Sequence, residues 1–387
     1  MTLVAVQWLR AAAALMVAWY HARHEAGLLA ARGVGAAPDP ATLLPWWGGV
    51  DLFFVISGFV IVHASRDLFG APGGRARFLA HRVARVVPLY WLVTLAYLAL
   101  ALARPSLLGE AGALARDPGY VAAAFLFLPA ARPDGTVLPL YGLGWTLNCE
   151  AFFYALFALG LGLGRRGAVA WLWGALALLV AAGSLARLPL PFAFWADPIV
   201  LEFALGATLA LARADGVRLG PASRLGLAGL GGLGLALAAQ ILPEAEASGF
   251  ARPLCVGLPA ALLVAAAALG PARDRAGIAA LPAPLRWLSA LGDASYALYL
   301  VHPFALRAVR EGLLAAGLAP VLHPYPWGSM LLMLAGSAAA ALLVHRWVER
   351  PMTRAARARL DRGAQNRGAQ NDVRAAAGPV PRGPAER

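Results

Sequence analysis

Residues 6–22 read VQWLRAAAALMVAWYHA, an apolar run that holds Arg10 and His21 eleven positions apart. At about 100° per residue, eleven steps bring the two side chains back to within about 20° of one helix face. They stand about 16 Å apart along the axis, near half of a hydrocarbon core about 30 Å thick. A charged Arg inside a membrane span costs about 2.5 kcal/mol or more and by default marks a pathway or a site. The spacing therefore predicts a polar track on an intramembrane helix, with an imidazole at one end.

The rest of the chain has the composition this reading needs. Its 387 residues are 60% apolar and 14% charged, with mean hydropathy +0.66, whereas a soluble domain is nearer about 25% charged. Apolar runs of about 20 residues fall at 3–22, 46–64, 84–103, 141–163, 168–187, 194–212, 222–242, 253–270, 287–307 and 327–348. The expected fold is all-α: a polytopic membrane bundle of about ten transmembrane helices. The run at Tyr120–Ala130 is too short to span and reads as interfacial or re-entrant. The first run lacks a basic leader region and a small-residue cleavage site, so it reads as a retained helix.

The net charge of +13 comes from 33 basic residues, all of them Arg, against 20 acidic ones. The absence of Lys reads as coding bias in an Ala-, Gly-, Leu- and Arg-rich genome. Arg66, Arg75, Arg77, Arg82 and Arg85 fall between runs two and three; Arg165 and Arg166, Arg213 and Arg218, and Arg273 and Arg275 follow runs four, six and eight. The alternate loops are balanced or acidic, as at Glu244 and Glu246. This alternation is the positive-inside pattern; it puts both termini in the cytoplasm and makes the charge a matter of topology, with no nucleic-acid partner expected. Cys149 and Cys255 lie in separate runs and read as small core residues rather than a disulfide or a metal site.

One bundle is expected over 1–353. The segment 104–140 would lie outside, where it could cover an opening. The Arg-, Ala-, Gly- and Pro-rich tail 354–387, with RGAQN repeated at 362–366 and 367–371, is expected to be disordered, touching anionic lipid heads at most. No internal repeat of the runs is evident.

Several polar residues recur within the apolar runs. His21 would either bond a neighbour at a helix end or act as a general base, since a neutral imidazole can take a hydroxyl proton. Arg10 would snorkel, or hold an anionic or carbonyl-bearing group partway through the bundle. Asp51, in GGVDLFFVISGFVI, would cap its helix, orient His21 or pair with an Arg, while Ser57 and Gly58 suit close helix packing. Arg82 and Arg85, in RFLAHRVARVVPLYW, share a helix face and suit either inner-surface anchoring or a phosphate clamp. In GLGWTLNCEAFFYALF, Glu150 is deep enough to need a partner or a proton, with Asn148 beside it, Tyr154 one turn on, and Trp145 as an anchor or sugar-stacking surface. DPIVLEFALG carries Asp197 and Glu202. In GDASYALYLVHPF, Tyr296, Tyr299 and His302 roughly share a stripe, and Pro303 would kink the helix. His345, Arg346, Glu349 and Arg350, in HRWVERPM, read as an inner-surface ion-pair cluster. A Walker lysine, zinc spacing and a GxSxG elbow are all missing from the sequence.

Taken together, LRAAAALMVAWYHA, GGVDLFFVISGFVI, RVARVVPLYW, WTLNCEAFFYALF, DPIVLEFALG, ASYALYLVHPF and VERP resemble membrane acyltransferase family 3, in family order from residue 7 to 351. They look most like its exopolysaccharide-acetylating branch. The resemblance implies a multi-pass protein of the bacterial inner membrane that moves an acyl group, usually acetyl, from cytoplasmic acetyl-coenzyme A to a hydroxyl of a carbohydrate or glycolipid. By position, Arg10 and His21 match the family's first-helix pair, Arg82 and Arg85 its cytoplasmic Arg motif, and Glu150 its acidic residue after the Trp. Cys149 stands where many members have Val, Tyr or Phe, and no fused esterase-like domain is expected.

The combined expectation is that His21, Glu150 and Asp51 carry the chemistry and that Arg10, Arg82 and Arg85 bind acyl-coenzyme A. Trp145, Asn148, Tyr154, Tyr299 and His302 would line the pore or meet the acceptor. The competing class is a proton-coupled transporter or flippase of a sugar-containing substrate, using Glu150, His21 and Asp51 as a relay.

Overall fold

The computed structural model describes residues 2–31, 38, 43–108, 110–318 and 326–360. Among them the regular elements are all helical. Ten helices match the ten apolar runs: α1 (Val4–Ala31), α2 (Gly49–Ala64), α3 (Gly74–Ala103), α4 (Trp145–Gly160), α5 (Gly164–Leu185), α6 (Leu201–Ala214), α7 (Pro221–Ile241), α8 (Leu258–Ala268), α9 (Ser295–Ala315) and α10 (Pro326–Val344).

Five helical stretches are long and apolar enough to cross a membrane: Trp46–Ala64, Gly74–Ala103, Gly142–Leu185, Pro221–Ile241 and Trp327–Leu360. The remaining helices miss that standard for physical reasons. Gln7, Arg10 and His21 dilute the apolar character of α1. α6 has 14 residues and α8 has 11, or about 21 Å and 16 Å at about 1.5 Å per residue. α9 carries Arg307, Arg310 and Glu311.

Two boundaries differ from the sequence expectation. The ninth run splits at Ala294 into a separate amphipathic helix, Ala283–Asp293, followed by α9. That short helix is tied to α1, where Trp8 Nε1 donates to Ser289 Oγ at 2.9 Å and to the Leu285 carbonyl at 3.2 Å. At the other end of the chain, helix persists to residue 360, because 354–360 is made of Arg, Ala and Leu, all good helix formers. Residues 361–387, with the RGAQN repeat, lie outside the described residues. Within 104–140, the eight-residue helix Pro118–Phe125 is too short to span, as expected. Asp117 Oδ1 caps it by accepting from Gly119 N and Tyr120 N. The segment forms a small apolar cluster of Ala115, Tyr120, Ala124 and Leu140 against Ala101 of α3.

The core is organised around α2, which packs most extensively on α6. Gly58 and Gly206 make this approach possible: a Cβ on Gly58 would strike the Phe203 backbone, and one on Gly206 the Val55 backbone. Phe203 then stacks on Phe54 and on Phe153, each at 4.4 Å between centroids. This wall fixes the faces of α2 and α4 that line the site.

Candidate active site

A cavity of about 160 Å³ opens between α1, α2, α3, α4 and α9. Six of the expected site residues line it together: Arg10, Arg82, Arg85, Glu150, Tyr154 and Tyr299. Arg82 and Arg85 reach it from one face of α3, as their spacing of three predicts. Glu150 and Tyr154 reach it one turn apart on α4.

The three guanidinium groups differ in what they meet. Arg10 Nη1 donates to the neutral Gln7 Oε1 at 3.1 Å, and no carboxylate pairs with Arg10 among the described residues. Arg82 lies over the Phe78 ring at 5.7 Å and keeps a buried Nε without a partner. Arg85 Nη1 is 2.6 Å from Glu349 Oε1 and lies over the Tyr296 ring at 5.9 Å. Glu150 Oε1 accepts from Ser57 Oγ at 3.0 Å and from Tyr154 Oη at 2.5 Å. Ser295, also on the cavity wall, has a buried hydroxyl without a partner. Arg10, Arg82 and Arg85 against Glu150 and Glu349 leave a net positive charge. Arginine forks of this kind suit phosphate and carboxylate oxygens.

Ser57 and Glu349 are two site residues that sequence reasoning placed elsewhere. Ser57 looked like a packing residue, yet it donates to Glu150. Glu349 was expected in a surface cluster; it is 1% exposed and bridges His345 Nδ1 at 2.7 Å to Arg85. The available signal was the spacing of four between His345 and Glu349, which puts both on one helix face. A π-helical turn, His345–Glu349, carries the pair inward.

His21 and His302 lie beyond the cavity wall and form a pair, with ring centroids 5.0 Å apart. His21 Nδ1 bonds the Val17 carbonyl at 2.9 Å, and His302 Nδ1 the Leu298 carbonyl at 3.0 Å. A carbonyl only accepts, so each Nδ1 carries a proton, and in the neutral ring each Nε2 keeps a lone pair. His302 is fully buried and its Nε2 has no partner. Its ring lies 6.3 Å from that of Tyr299, which lines the cavity. His302 is therefore one ring removed from the pore lining expected of it.

Asp51 does not orient His21. Its two oxygens accept from Arg252 Nε and Nη2, each at 2.9 Å, and its side chain is fully buried. A bidentate fork of this geometry satisfies the carboxylate and leaves it no reason to reach the imidazole. Arg252 was not anticipated; the only signal was an Arg at the head of an apolar run. It also lies over Trp47 at 5.0 Å and Trp145 at 5.8 Å, so Trp145 covers this ion pair and does not line the cavity. Glu202 is buried within electrostatic reach of Asp51 and Arg252, in space that only a glycine at 257 leaves free. Asn148 is buried with both amide atoms unpartnered and is likewise absent from the cavity wall.

Comparison with known proteins shows the family. Residues 3–346 match the family described as acyltransferase domain. The chain is 33% identical over 317 residues to the exopolysaccharide production protein ExoZ of Rhizobium meliloti (strain 1021), covering 80% of this chain and 90% of that protein. It is 31% identical over 338 residues to the acyltransferase MdmB of Streptomyces mycarofaciens, covering 79% and 80% respectively. No solved structure matches it significantly. The chain, an all-helical bundle with several membrane-length helices, matches this family over nearly its whole length and belongs to it.

Proposed function

We propose that this acyltransferase takes an acyl group, acetyl in the simplest case, from acyl-coenzyme A at the cytoplasmic face of the inner membrane. The acceptor is a hydroxyl of an exported or cell-surface carbohydrate. In this reading all ten helices cross the membrane and both termini are cytoplasmic, in keeping with the Arg-rich alternate loops. The carbohydrate class is supported by the likeness to a protein of exopolysaccharide production.

The observation that carries the proposal is the cavity itself. Arg10 and Arg82 line it without a carboxylate partner among the described residues, and Tyr299 leads from it to the imidazole pair. Coenzyme A is a polyanion with a long neutral arm. Its phosphates meet Arg82 and Arg85, and the arm follows the track of α1 past Arg10. Arg10, about 16 Å from His21 along α1, holds a carbonyl of that arm partway through the bundle. Glu150, tethered by Ser57 and Tyr154, offsets part of the cationic field and orients the reacting groups. His21 uses its free Nε2 to take the proton of the acceptor hydroxyl, whose oxygen bonds the acyl carbon as the thiol departs.

The test is the acyl content of surface glycans, measured by mass spectrometry, in a deletion strain complemented with wild type or His21→Ala at matched expression. The proposal expects acylation with wild type and none above the deletion background with His21→Ala. Wild-type-like acylation by His21→Ala overturns it. Movement of a sugar-containing substrate that needs no acyl-coenzyme A would favour a transporter.

A further inference from the structure

His302 is a buried imidazole with a free basic atom, and one histidine acting as base gives it no task. Its Nδ1–H is committed to the Leu298 carbonyl, as that of His21 is to the Val17 carbonyl. The chemistry left to each ring is therefore at Nε2. A buried acceptor without a donor is costly, yet the His302 Nε2 is kept in that state. The rings are inclined at 64° with centroids 5.0 Å apart, which brings the edge of one against the other. On its far side His302 neighbours Tyr299, a wall residue of the cationic cavity. His302 thus stands between the imidazole proposed to meet the alcohol and the cavity proposed to hold the thioester.

Resting on the acyl-transfer reading above, we infer that His302 is the second station of a proton relay from the acceptor hydroxyl to the departing thiolate. The hydroxyl O–H bond breaks and its proton goes to His21 Nε2. The oxygen forms the ester bond to the acyl carbon, and the carbon–sulfur bond breaks. His21 passes the proton from its Nε2 to that of His302, and His302 delivers it to the coenzyme A thiolate as an S–H bond. Both rings return to the neutral Nδ1–H form that their backbone carbonyls select. The proton travels inward as the acyl group travels outward, and no other reagent is required.

The test uses the detergent-purified full chain with acetyl-coenzyme A and an acceptor glycan, comparing wild type, His302→Gln, His302→Ala and Arg82→Ala. A general acid–base group contributes about 10²–10⁴-fold. The relay therefore expects a fall in kcat of about 100-fold or more in both His302 variants. Their KM for acetyl-coenzyme A should stay within about twofold, and acetyl-coenzyme A should still raise their melting temperature. Added imidazole should restore at least about tenfold of the lost rate to His302→Ala and nothing to Arg82→Ala. A His302→Gln rate within about threefold of wild type overturns the relay, as does a His302→Ala loss that imidazole leaves unchanged. Either result leaves the acyl-transfer reading standing, whereas a wild-type protein that transfers nothing from acetyl-coenzyme A removes that reading itself.

Discussion

Arg85 and Glu349 form an ion pair at 2.6 Å in which the carboxylate side chain is wholly buried and also meets His345. Glu349 thereby fixes one of the three cavity guanidinium groups, while Arg10 and Arg82 meet no carboxylate among the described residues. The pairing divides the cluster into one cation held by a carboxylate and two that are not. Removing one partner of a buried pair strands the other charge, at a cost of about 3–5 kcal/mol when both are fully buried. Arg85 is 27% exposed, so the cost here should be nearer the low end. Glu349→Gln is expected to lower stability by about 2–3 kcal/mol, seen as a lower melting temperature in detergent. An unchanged melting temperature would show the pair to be incidental.

Arg10→Ala and Arg82→Ala should each weaken acetyl-coenzyme A binding about tenfold or more, equivalent to about 1.4 kcal/mol. Stabilisation against heating across a ligand series reads this directly. The double variant should lose nearly all of the stabilisation. Retention of wild-type affinity by Arg82→Ala would remove phosphate binding from α3.

Ser57→Ala and Tyr154→Phe each remove one hydrogen bond to Glu150 Oε1. Bonds to a charged group are worth about 1.5–3 kcal/mol, so initial rates should fall about tenfold or more per variant. The pair of changes should not be additive, because both act through the same carboxylate. A fully additive loss would mean that the two side chains act separately.

Asp51 and Arg252 serve stability in this account. Asp51→Ala should cost about 3 kcal/mol by leaving the partly buried Arg252 without its partner, and replacing both by apolar residues of similar size should recover most of that loss. Melting temperatures of the single and double variants check it. A double variant less stable than either single one would contradict the assignment.

The all-helical class was legible in the sequence because long apolar runs leave little choice in a bilayer, and each run carries helix, five stretches of it long and apolar enough to cross. The cavity arginines were legible as well, since a charge within such a run must be justified by its surroundings. Partners distant in the chain were not. Asp51 meets Arg252 across 201 positions and Arg85 meets Glu349 from the far end of the bundle; nothing local in either segment encodes the meeting. Ser57 was read as a packing residue because its neighbour Gly58 does pack tightly. The side chain one position away faces the cavity instead. The break at Ala294 was hidden because an amphipathic helix and a buried one together make one apolar run.

Transfer across the membrane is the claim on which the rest depends. Sealed inside-out vesicles, given labelled acetyl-coenzyme A at their outer surface and acceptor carbohydrate in the lumen, measure it in one experiment. The account predicts label on the lumenal carbohydrate with wild type and none above background with His21→Ala or with Arg10→Ala combined with Arg82→Ala. Label appearing equally in all three, or only when acceptor and acetyl-coenzyme A share one side, would contradict it.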